Sequence, residues 1–408
     1  MKLGFQFNDN FPTRKEVMDK LYEILDYNCK VEEVPVYEAL GRVVADDILS
    51  VHNVPLVRAS CLDGVAVKSD RFKEGMPDTS NWIKGVDFVR ADTGDDFSDE
   101  FDAVIRIECV DIKDDGHLEI LDDLDIKQGT GTRGPGSTIK EGEILVKKGT
   151  PLRSVELSAI VMGGVTTIPV YKKPVVAFIP TGDELVAPGE AIKRGKTVDS
   201  NSILIESRLK EFGAEPLMYP IVKDNKNDLE ATLKDALYKA DMVLINGGSS
   251  LGSEDYNAKL IEEMGDVVAH GILAAPGKPC CVGVIDGKPA INIPGPPASL
   301  FYVSDWLVRG LVRYMTGLKK PVKHTVKALL IEDICTPFNV EIMCKMHTVR
   351  NEDGTYTTRQ IPFKGSSVSE VLCSNSCYIT KPGTAGNKAG EQIDIELLVD
   401  EAYLSTIS

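Results

Sequence analysis

Several features that define common classes of protein are absent from this sequence. No apolar run approaches the length of a membrane-spanning helix, and the first residues, MKLGFQFNDNFPTRKEV, lack the apolar stretch of a signal peptide. Neither a Walker A sequence nor a G-x-G-x-x-G fingerprint follows a predicted strand, which argues against a generic nucleotide-binding enzyme. The sequence therefore predicts a cytoplasmic protein that has no membrane partner.

Cysteine and positive charge are too sparse or too scattered to define a site by themselves. The nine cysteines form neither a disulfide framework nor two pairs with the spacing of zinc ligands. The 46 lysines and arginines are outnumbered by 62 aspartates and glutamates, which gives a formal net charge of −16. General electrostatic binding to nucleic acid is therefore disfavoured, and any anionic ligand must be held by local basic side chains and loop amides.

What is present is enough chain for several domains, since 408 residues exceed what one hydrophobic core usually supports. Residues 1–50 and 147–173 predict a discontinuous scaffold domain, although sequence alone does not decide whether its two pieces pack together. Short β-prone runs and turn clusters predict an inserted β-rich domain at 51–146. Alternating strands and helices predict a parallel α/β domain at 174–316, and alternating apolar segments predict a C-terminal β domain at 321–408.

The segment DMVLINGGSSLGSEDYN, residues 241–257, joins a predicted strand to a predicted helix. Ligands bind to open parallel sheets beyond the carboxyl ends of such strands. Loop amides and serine hydroxyls suit a phosphate, whereas the carboxylates of Glu254 and Asp255 suit magnesium. An ordinary glycine-rich connection with a helix cap at Asp255 is an equally open interpretation.

Three other loops also lie next to predicted strands. The segments TGDE at 181–184, APGKP at 275–279 and IPGPPAS at 293–299 follow or join elements of the same predicted sheet. If they meet at one end of the sheet, they form a pocket with acid, amide and lysine groups. In the inserted domain, Asp63 and Thr93 lie in turns before predicted strands, and each turn alone is typical of an ordinary hairpin.

The chain resembles the molybdopterin molybdenumtransferases, the cofactor-assembly family that includes the C-terminal domain of gephyrin. Seven motifs occur here in the order and spacing of that family. Beyond the loops named above, the resemblance rests on SCLDGVAV at 60–67, DTG with FDAVIRIE at 92–108 and VDSNS at 198–202. It covers nearly the whole chain, and it implies an elongated homodimer whose subunit has the four parts predicted above. It also implies that each site lies between the α/β domain of one subunit and the inserted domain of the other.

The activity that the resemblance implies is insertion of molybdenum from molybdate into adenylylated molybdopterin, with release of AMP and a requirement for Mg²⁺. A molybdopterin adenylyltransferase is then a possible partner. The catalytic residues would be Asp63, Thr93, Glu184 and Asp255, with Asp255 as the magnesium ligand and Thr93 donating its hydroxyl to an oxyanion. Asp63 and Glu184 would orient water or handle protons near molybdate, because carboxylates do not attract an anion.

The resemblance assigns substrate binding to residues of the five loops of the α/β domain, with the glycine-serine loop and Lys278 on the pterin or phosphate. These residues are Thr181, Gly182, Asp199, Ser200, Asn201, Gly247, Gly248, Ser249, Ser250, Gly252, Pro276, Gly277, Lys278, Pro294, Gly295 and Pro297.

The chain departs from the family pattern at two positions that alter charge near the implied site. Thr138 stands where the resemblance leads us to expect an aspartate, and Ala275 stands where a lysine is frequent. The alternative hypothesis is therefore a non-catalytic molybdopterin-binding homologue with a carrier or regulatory role. A receptor-anchoring scaffold, the other role of gephyrin, has no support in the sequence, and the choice between molybdenum and tungsten stays open.

Overall fold

The computed structural model describes residues 10–25, 29–247, 256–318, 324–335, 340–362, 374–384 and 386–404. The chain divides into two compact units. The β-rich unit is Lys30–Tyr171, and the α/β-barrel unit combines Met1–Cys29 with Lys172–Ser408. Within the described ranges, no helix has both the length and the apolar character needed to cross a membrane.

Helix α1 (Arg14–Ile24) begins at a capping box in which the Thr13 side chain accepts a hydrogen bond from the Glu16 amide and Glu16 accepts one from the Thr13 amide. Its apolar face, including Val17 and Leu21, packs into the core of the α/β-barrel unit. The sequence predicts that residues 1–50 belong together to the scaffold. The structure separates this helix from that scaffold because its buried face is covered by the α/β domain.

The β-rich unit is built from short strands, with 3₁₀ turns at Val36–Glu38, Ser69–Phe72 and Ile107–Cys109. Its elements are β1 (Val31–Pro35), β2 (Ile48–Leu49), β3 (Ala59–Ser60), β4 (Gly64–Val67), β5 (Phe88–Ala91), β6 (Ala103–Arg106), β7 (Val110–Ile112), β8 (Leu118–Ile120), β9 (Thr132–Arg133), β10 (Ile144–Val146), α2 (Ser154–Met162) and β11 (Thr167–Tyr171).

Two groups of these strands have separate cores. Antiparallel pairing of β1 with β11 and of β2 with β10 brings the two ends of the unit together around Val34, Ile160 and Ile168. Strand β4 lies between β5 and β6, and all four of its residues are buried. Phe88 and other apolar side chains of this second group form their own core, as the short β-prone runs of the sequence predict.

The first part of the α/β-barrel unit after α1 alternates strands and helices. Its elements are β12 (Val175–Pro180), β13 (Leu185–Val186), β14 (Thr197–Val198), α3 (Asn201–Phe212), β15 (Glu215–Met218), α4 (Lys226–Lys239), β16 (Met242–Asn246), α5 (Tyr256–Met264), β17 (Asp266–His270), β18 (Ala274–Ala275), β19 (Cys281–Ile285), β20 (Lys288–Ile293), α6 (Pro297–Val303), a π-helical turn (Ser304–Val308) and α7 (Arg309–Met315).

Six of these strands form one sheet in the order β15, β12, β16, β20, β19, β17. The central strands are buried on both faces: Phe178 points into the core shared with α1, and Ala177 points into the core beneath α4 and α5. The first four strands are parallel, whereas β19 and β17 are antiparallel to their neighbours. The sequence predicts a parallel sheet; at this edge the chain instead reverses direction, because Asp286 and Gly287, with φ of 50° and 74°, form a two-residue hairpin between β19 and β20.

The C-terminal strands close into a barrel. They are β21 (Thr325–Leu330), β22 (Ile334–Cys335), β23 (Glu341–Arg350), β24 (Tyr356–Gln360), β25 (Ser376–Ile379), β26 (Gly386–Asn387) and β27 (Gln392–Leu397), followed by a 3₁₀ turn at Glu401–Tyr403.

Pairing runs from β23 through β24, β21, β27 and β25 and back to β23, so these five strands have no free edge within the ring. Inside the barrel, the buried Thr348 hydroxyl is 2.8 Å from that of Thr358 and 2.6 Å from that of Ser376. The short strand β18 adds to β23 in parallel. The predicted fold class, a parallel α/β domain combined with β-rich domains, is confirmed.

Candidate active site

The register of the α/β sheet brings several predicted site loops to one edge. Pro180 is paired with Asn246, and Asn246 with Ile293, so the loops after β12, β16 and β20 leave the sheet side by side. Cys281 at the start of β19 is paired with Asn292 near the end of β20. The loop that precedes β19, which carries Lys278, therefore lies at the same edge.

Buried amides hold the ends of these strands together. Asn257 donates to the Thr181 hydroxyl oxygen at 3.1 Å and to the Gly247 carbonyl at 3.0 Å. Asn201 donates to the Asn246 side-chain oxygen at 2.6 Å and to the Gly295 carbonyl at 2.7 Å. These bonds join segments that are far apart in sequence, and they leave the local backbone few alternative positions.

The TGDE loop places Glu184 over a glycine. Thr181 is buried and donates its hydroxyl to the Asn246 carbonyl. Gly182 has a φ of 147°, and a Cβ there would lie 2.6 Å from a Glu184 carboxylate oxygen. Thr181 thus has a structural part in this loop, whereas the Glu184 side chain is exposed at the edge where ligands bind to such sheets.

The segment VDSNS begins helix α3. The buried Asp199 carboxylate accepts hydrogen bonds from the amides of Asn201 and Ser202 at 3.0 and 3.1 Å, which satisfies the start of the helix. Ser200 is exposed, and Asn201 is buried in the amide network described above. The Asn201 side-chain oxygen is buried without a donor among the described residues. Of these three predicted binding residues, Asp199 is committed to the helix start.

The APGKP and IPGPPAS loops also contain packed and exposed residues. Gly277 is buried with a φ of 106°, and a Cβ there would lie 2.5 Å from a methyl group of Val303. Lys278 is half-buried, and this desolvation lowers the pKa of its amine. Its neighbour Pro276 is also half-buried, while Pro294 is buried and Pro297 is exposed at the first turn of α6.

In the β-rich unit, Asp63 and Thr93 are brought together although thirty residues separate them in sequence. The Thr93 amide donates to the Asp63 carboxylate at 2.7 Å. This bond, together with one from the Thr93 side chain, lowers the pKa of Asp63. Both residues are exposed, so the pair forms an accessible carboxylate and hydroxyl, directly before β4 and shortly after β5.

Comparison with known proteins agrees with this architecture. A model described as the MoeA N-terminal region (domain I and II) matches residues 13–164. A second, described as a probable molybdopterin binding domain, matches residues 177–314. The chain belongs to the MoeA family. The family resemblance inferred from the motifs is therefore confirmed.

Relatives of this family are similar to the chain along nearly its whole length. A putative molybdopterin biosynthesis protein of Methanocaldococcus jannaschii is 29% identical over 94% of this chain and 96% of its own. A molybdopterin molybdenumtransferase of Haemophilus influenzae is 27% identical over 94% of this chain and 98% of its own. The crystal structure of the molybdopterin biosynthesis MoeA protein of Pyrococcus horikoshii superimposes with a TM-score of 0.79 at 26% identity, covering 96% of this chain and 100% of that chain.

Five predicted residues of this MoeA chain lie outside the described residues. They are Gly248, Ser249, Ser250, Gly252 and Asp255. Within the described ranges, no group of three or more histidine, cysteine, aspartate or glutamate side chains is placed to hold a metal ion. The assignment of magnesium to Asp255 therefore stays a prediction.

Two arginines that the sequence analysis did not select lie in or next to the β3–β9 pair, which precedes the Asp63 turn. Arg133 is opposite Ala59 in the β3–β9 pair, which leads directly into that turn. Its Nε is buried without a hydrogen-bond acceptor among the described residues, and the same is true of Arg58, which also stacks 4.7 Å from the Phe97 ring centroid. The segment QGTGTRGPGS, residues 128–137, belongs to the turn clusters that the sequence predicts within 51–146. An arginine among so many glycines was the available signal.

The two departures from the family pattern are accessible. Thr138 is exposed, and its backbone amide donates to the Val54 carbonyl at 2.9 Å. Ala275 is half-buried and belongs to β18, paired with Ile342 of the barrel. Neither residue disrupts the local backbone. Any effect of these two departures on the site therefore comes from the change in its charge.

Proposed function

We propose that this chain is a molybdopterin molybdenumtransferase, which inserts molybdenum from molybdate into adenylylated molybdopterin and releases AMP. Relatives that bear the enzyme's name align with 94% and 95% of the chain at 27% and 25% identity. The observation that carries the proposal is the meeting of the TGDE, NGG, APGKP and IPGPP loops at one edge of the α/β sheet.

The residue types at this edge suit release of AMP from a phosphoanhydride. Such a reaction needs positioning of the phosphates and neutralisation of their charge more than it needs a covalent nucleophile. Lys278 supplies positive charge, and Glu184 supplies a carboxylate that can orient water or accept a proton. The Gly247 amide donates to the Ile293 carbonyl at 3.2 Å, so we assign the amide donors to the residues that follow it in the loop. Gly182, Asn201 and Gly295 shape the edge, and Ser200, Pro276 and Pro297 border it.

The Asp63–Thr93 pair is assigned to molybdate and the leaving oxygen. A carboxylate with a lowered pKa stays ionised, so Asp63 can accept hydrogen bonds from water and orient it, and Thr93 can donate its hydroxyl once it releases Asp63. We assign Mg²⁺ to Asp255, where it would neutralise phosphate charge.

A homodimer is part of the same proposal, since it would let the β-rich unit of one subunit serve the α/β domain of the other. A cytoplasmic location and substrate transfer from a molybdopterin adenylyltransferase complete it. Light scattering of the purified protein tests the dimer: a mass corresponding to one chain, 44.5 kDa, at micromolar concentration would contradict it. The division into the four predicted domains also remains a proposal.

The experiment that tests the activity is AMP release from adenylylated molybdopterin with Mg²⁺, measured with and without molybdate. We expect molybdate to stimulate release, and we expect Asp255→Ala and Glu184→Ala to remove that stimulation. Glu190→Ala, an exposed change outside the assigned residues, is the control. Tight pterin binding without AMP release would contradict the enzyme and support the carrier role, which the names of the full-length relatives do not favour.

A further inference from the structure

The loop that carries Lys278 joins β17 to β19 and spans residues 271–280; it is called the Lys278 loop below. Its two ends are fastened to each other: the Gly271 amide donates to the Cys280 carbonyl at 2.9 Å, and the Ile272 amide donates to the Lys278 carbonyl at 2.8 Å. These bonds narrow the base of the loop. They do not by themselves determine its angle to the sheet edge.

The N-terminal segment provides a second attachment. The Leu273 amide donates to the Pro12 carbonyl at 2.9 Å. Gly271 has a φ of 96°, and the Phe11 ring covers it so closely that a Cβ on Gly271 would lie 2.7 Å from the ring. Residues that precede α1 are therefore in direct contact with the loop.

The barrel provides a third attachment. Strand β18 lies within the loop and pairs in parallel with the start of β23, where Ala274 is opposite Glu341. The Glu341 amide also donates to the Leu273 carbonyl at 3.3 Å. The loop that carries Lys278 at the edge of the α/β sheet therefore also contributes one strand, β18, to the barrel sheet.

One ion pair connects the N-terminal helix α1 with the barrel strand β23. Arg14 Nε lies 2.7 Å from Glu341 Oε2, and the two side chains are only 14% and 25% exposed. The Arg14 guanidinium also lies 5.9 Å from the centroid of the Trp306 ring, in the helical segment that starts at the IPGPP loop. A pair that is so little exposed has a better-defined geometry than a surface ion pair.

We propose that Arg14 and Glu341 are positioning residues, which hold the N-terminal segment and the barrel against the Lys278 loop and so set the place of the Lys278 amine. This inference rests on the proposed function, in which Lys278 binds the anionic part of the substrate. Neither residue needs to touch the substrate. They act on the position of Lys278 through the hydrogen bond between Leu273 and Pro12 and through the β18–β23 pairing.

The test uses three variants of the full chain: Arg14→Gln, Glu341→Gln and the double variant R14Q/E341Q, which leaves no unpaired charge. Arg42→Gln is the matched control, because Arg42 forms a similarly sheltered ion pair with Glu32 in the β-rich unit, with side chains 10% and 37% exposed. Thermal unfolding of all variants separates loss of positioning from loss of folding.

The first readout is the pH midpoint for trace acetylation of Lys278, followed by peptide mass spectrometry. Packing of the loop lowers the pKa of this amine, so a loosened and better hydrated loop should raise the midpoint in all three variants. Arg42→Gln should leave it unchanged. This measurement needs neither substrate nor activity, and it therefore tests the positioning even if the proposed function fails.

The second readout is the division of the effect between KM and kcat for molybdate-stimulated AMP release. We expect KM for the adenylylated pterin to rise roughly five- to tenfold while kcat changes less than about twofold, since binding of the substrate is what Lys278 supports. Unchanged acetylation midpoints in folded variants would overturn the positioning proposal. Shifted midpoints together with absent AMP release in the unmutated protein would overturn the proposed function and leave the positioning intact.

Discussion

Gly247 lies so close to Thr181 that a Cβ on residue 247 would be 2.4 Å from the Thr181 hydroxyl oxygen and 2.5 Å from its carbonyl oxygen. The φ of Gly247 is 138°, which also disfavours any residue with a side chain. This contact joins the ends of β12 and β16, and it explains physically why the residue directly after β16 must be glycine.

Gly247→Ala should lower the free energy of unfolding by about 2–4 kcal/mol, because strain at this φ adds to the clash with Thr181. Equilibrium unfolding in urea measures the change. Gly189→Ala is the control: Gly189 has a φ of 89° but faces open space, so its replacement should cost only roughly 1 kcal/mol. Equal costs at the two positions would show that the close approach has no energetic weight.

Asn257→Asp should destabilise the α/β domain by about 2–3 kcal/mol, since it removes a buried donor and leaves an acceptor facing acceptors. Asn257 is 4% exposed and donates to both Thr181 and Gly247. Thermal unfolding checks the prediction. Asn81→Asp, at an exposed site, should change stability by less than about 0.5 kcal/mol, and a similar effect of both changes would contradict the role of the amide network.

Thr93→Ala should raise the pKa of Asp63 toward its ordinary value without reaching it, because the backbone amide of residue 93 remains a donor. A carboxyl group whose folded-state pKa is lowered adds stability above its unfolded pKa, and this contribution is lost as the pH falls through the folded-state pKa. Carbon-detected NMR titration of the carboxyl groups measures both proteins. Asp78, whose pKa is lowered by Ser80, is an internal control that should not move.

Glu184→Gln should reduce kcat for molybdate-stimulated AMP release about 100-fold, since the variant keeps the size of the side chain but cannot accept a proton. The backbone should be retained, because the Glu184 carbonyl accepts from the Thr197 amide at 2.8 Å whatever the side chain. Glu190→Gln is the matched exposed control. Full activity of Glu184→Gln would remove Glu184 from the proposed catalytic residues.

Asp305→Asn should destabilise the α/β-barrel unit by about 3 kcal/mol, because two little-exposed arginines lose their shared carboxylate. Arg208 and Arg309 lie 2.7 and 3.0 Å from Asp305, whose side chain is 12% exposed. Thermal unfolding provides the measurement. Glu230→Gln breaks an exposed helical pair with Lys234 and should cost no more than about 0.5 kcal/mol; a comparable loss there would contradict this reasoning.

The sequence predicted the positions of the sheet-edge loops better than the roles of their residues. Apolar runs that stop at Pro180, Asn246 and Ile293 indicated three strand ends, and parallel pairing placed them side by side. No local pattern indicated that the Asp199 carboxylate accepts hydrogen bonds from the first amides of α3, or that the Asn201 side-chain amide is used inside the protein. Hydrogen-bond partners that lie 45 and 94 residues away in the chain are not encoded in a local pattern.

Arg133 is a residue that no local sequence pattern selected. Its sequence neighbours are turn formers, and nothing local indicates that its Nε is buried. Pairing of Thr132 with Ser60 places it beside β3. Likewise, the antiparallel edge of the α/β sheet follows from one two-residue turn, whose consequence for strand direction appears only when β19 and β20 are paired.

The amino-acid sequence by itself determined the alternation of strands and helices, the β character of the C-terminal region and the family, because periodic burial and ordered glycine-rich motifs are local properties. Tertiary structure alone decided which of those motifs meet, that α1 packs with the α/β domain, and that the Lys278 loop is also a barrel strand. These are contacts between distant segments, and their energies depend on packing and pairing that no local stretch contains.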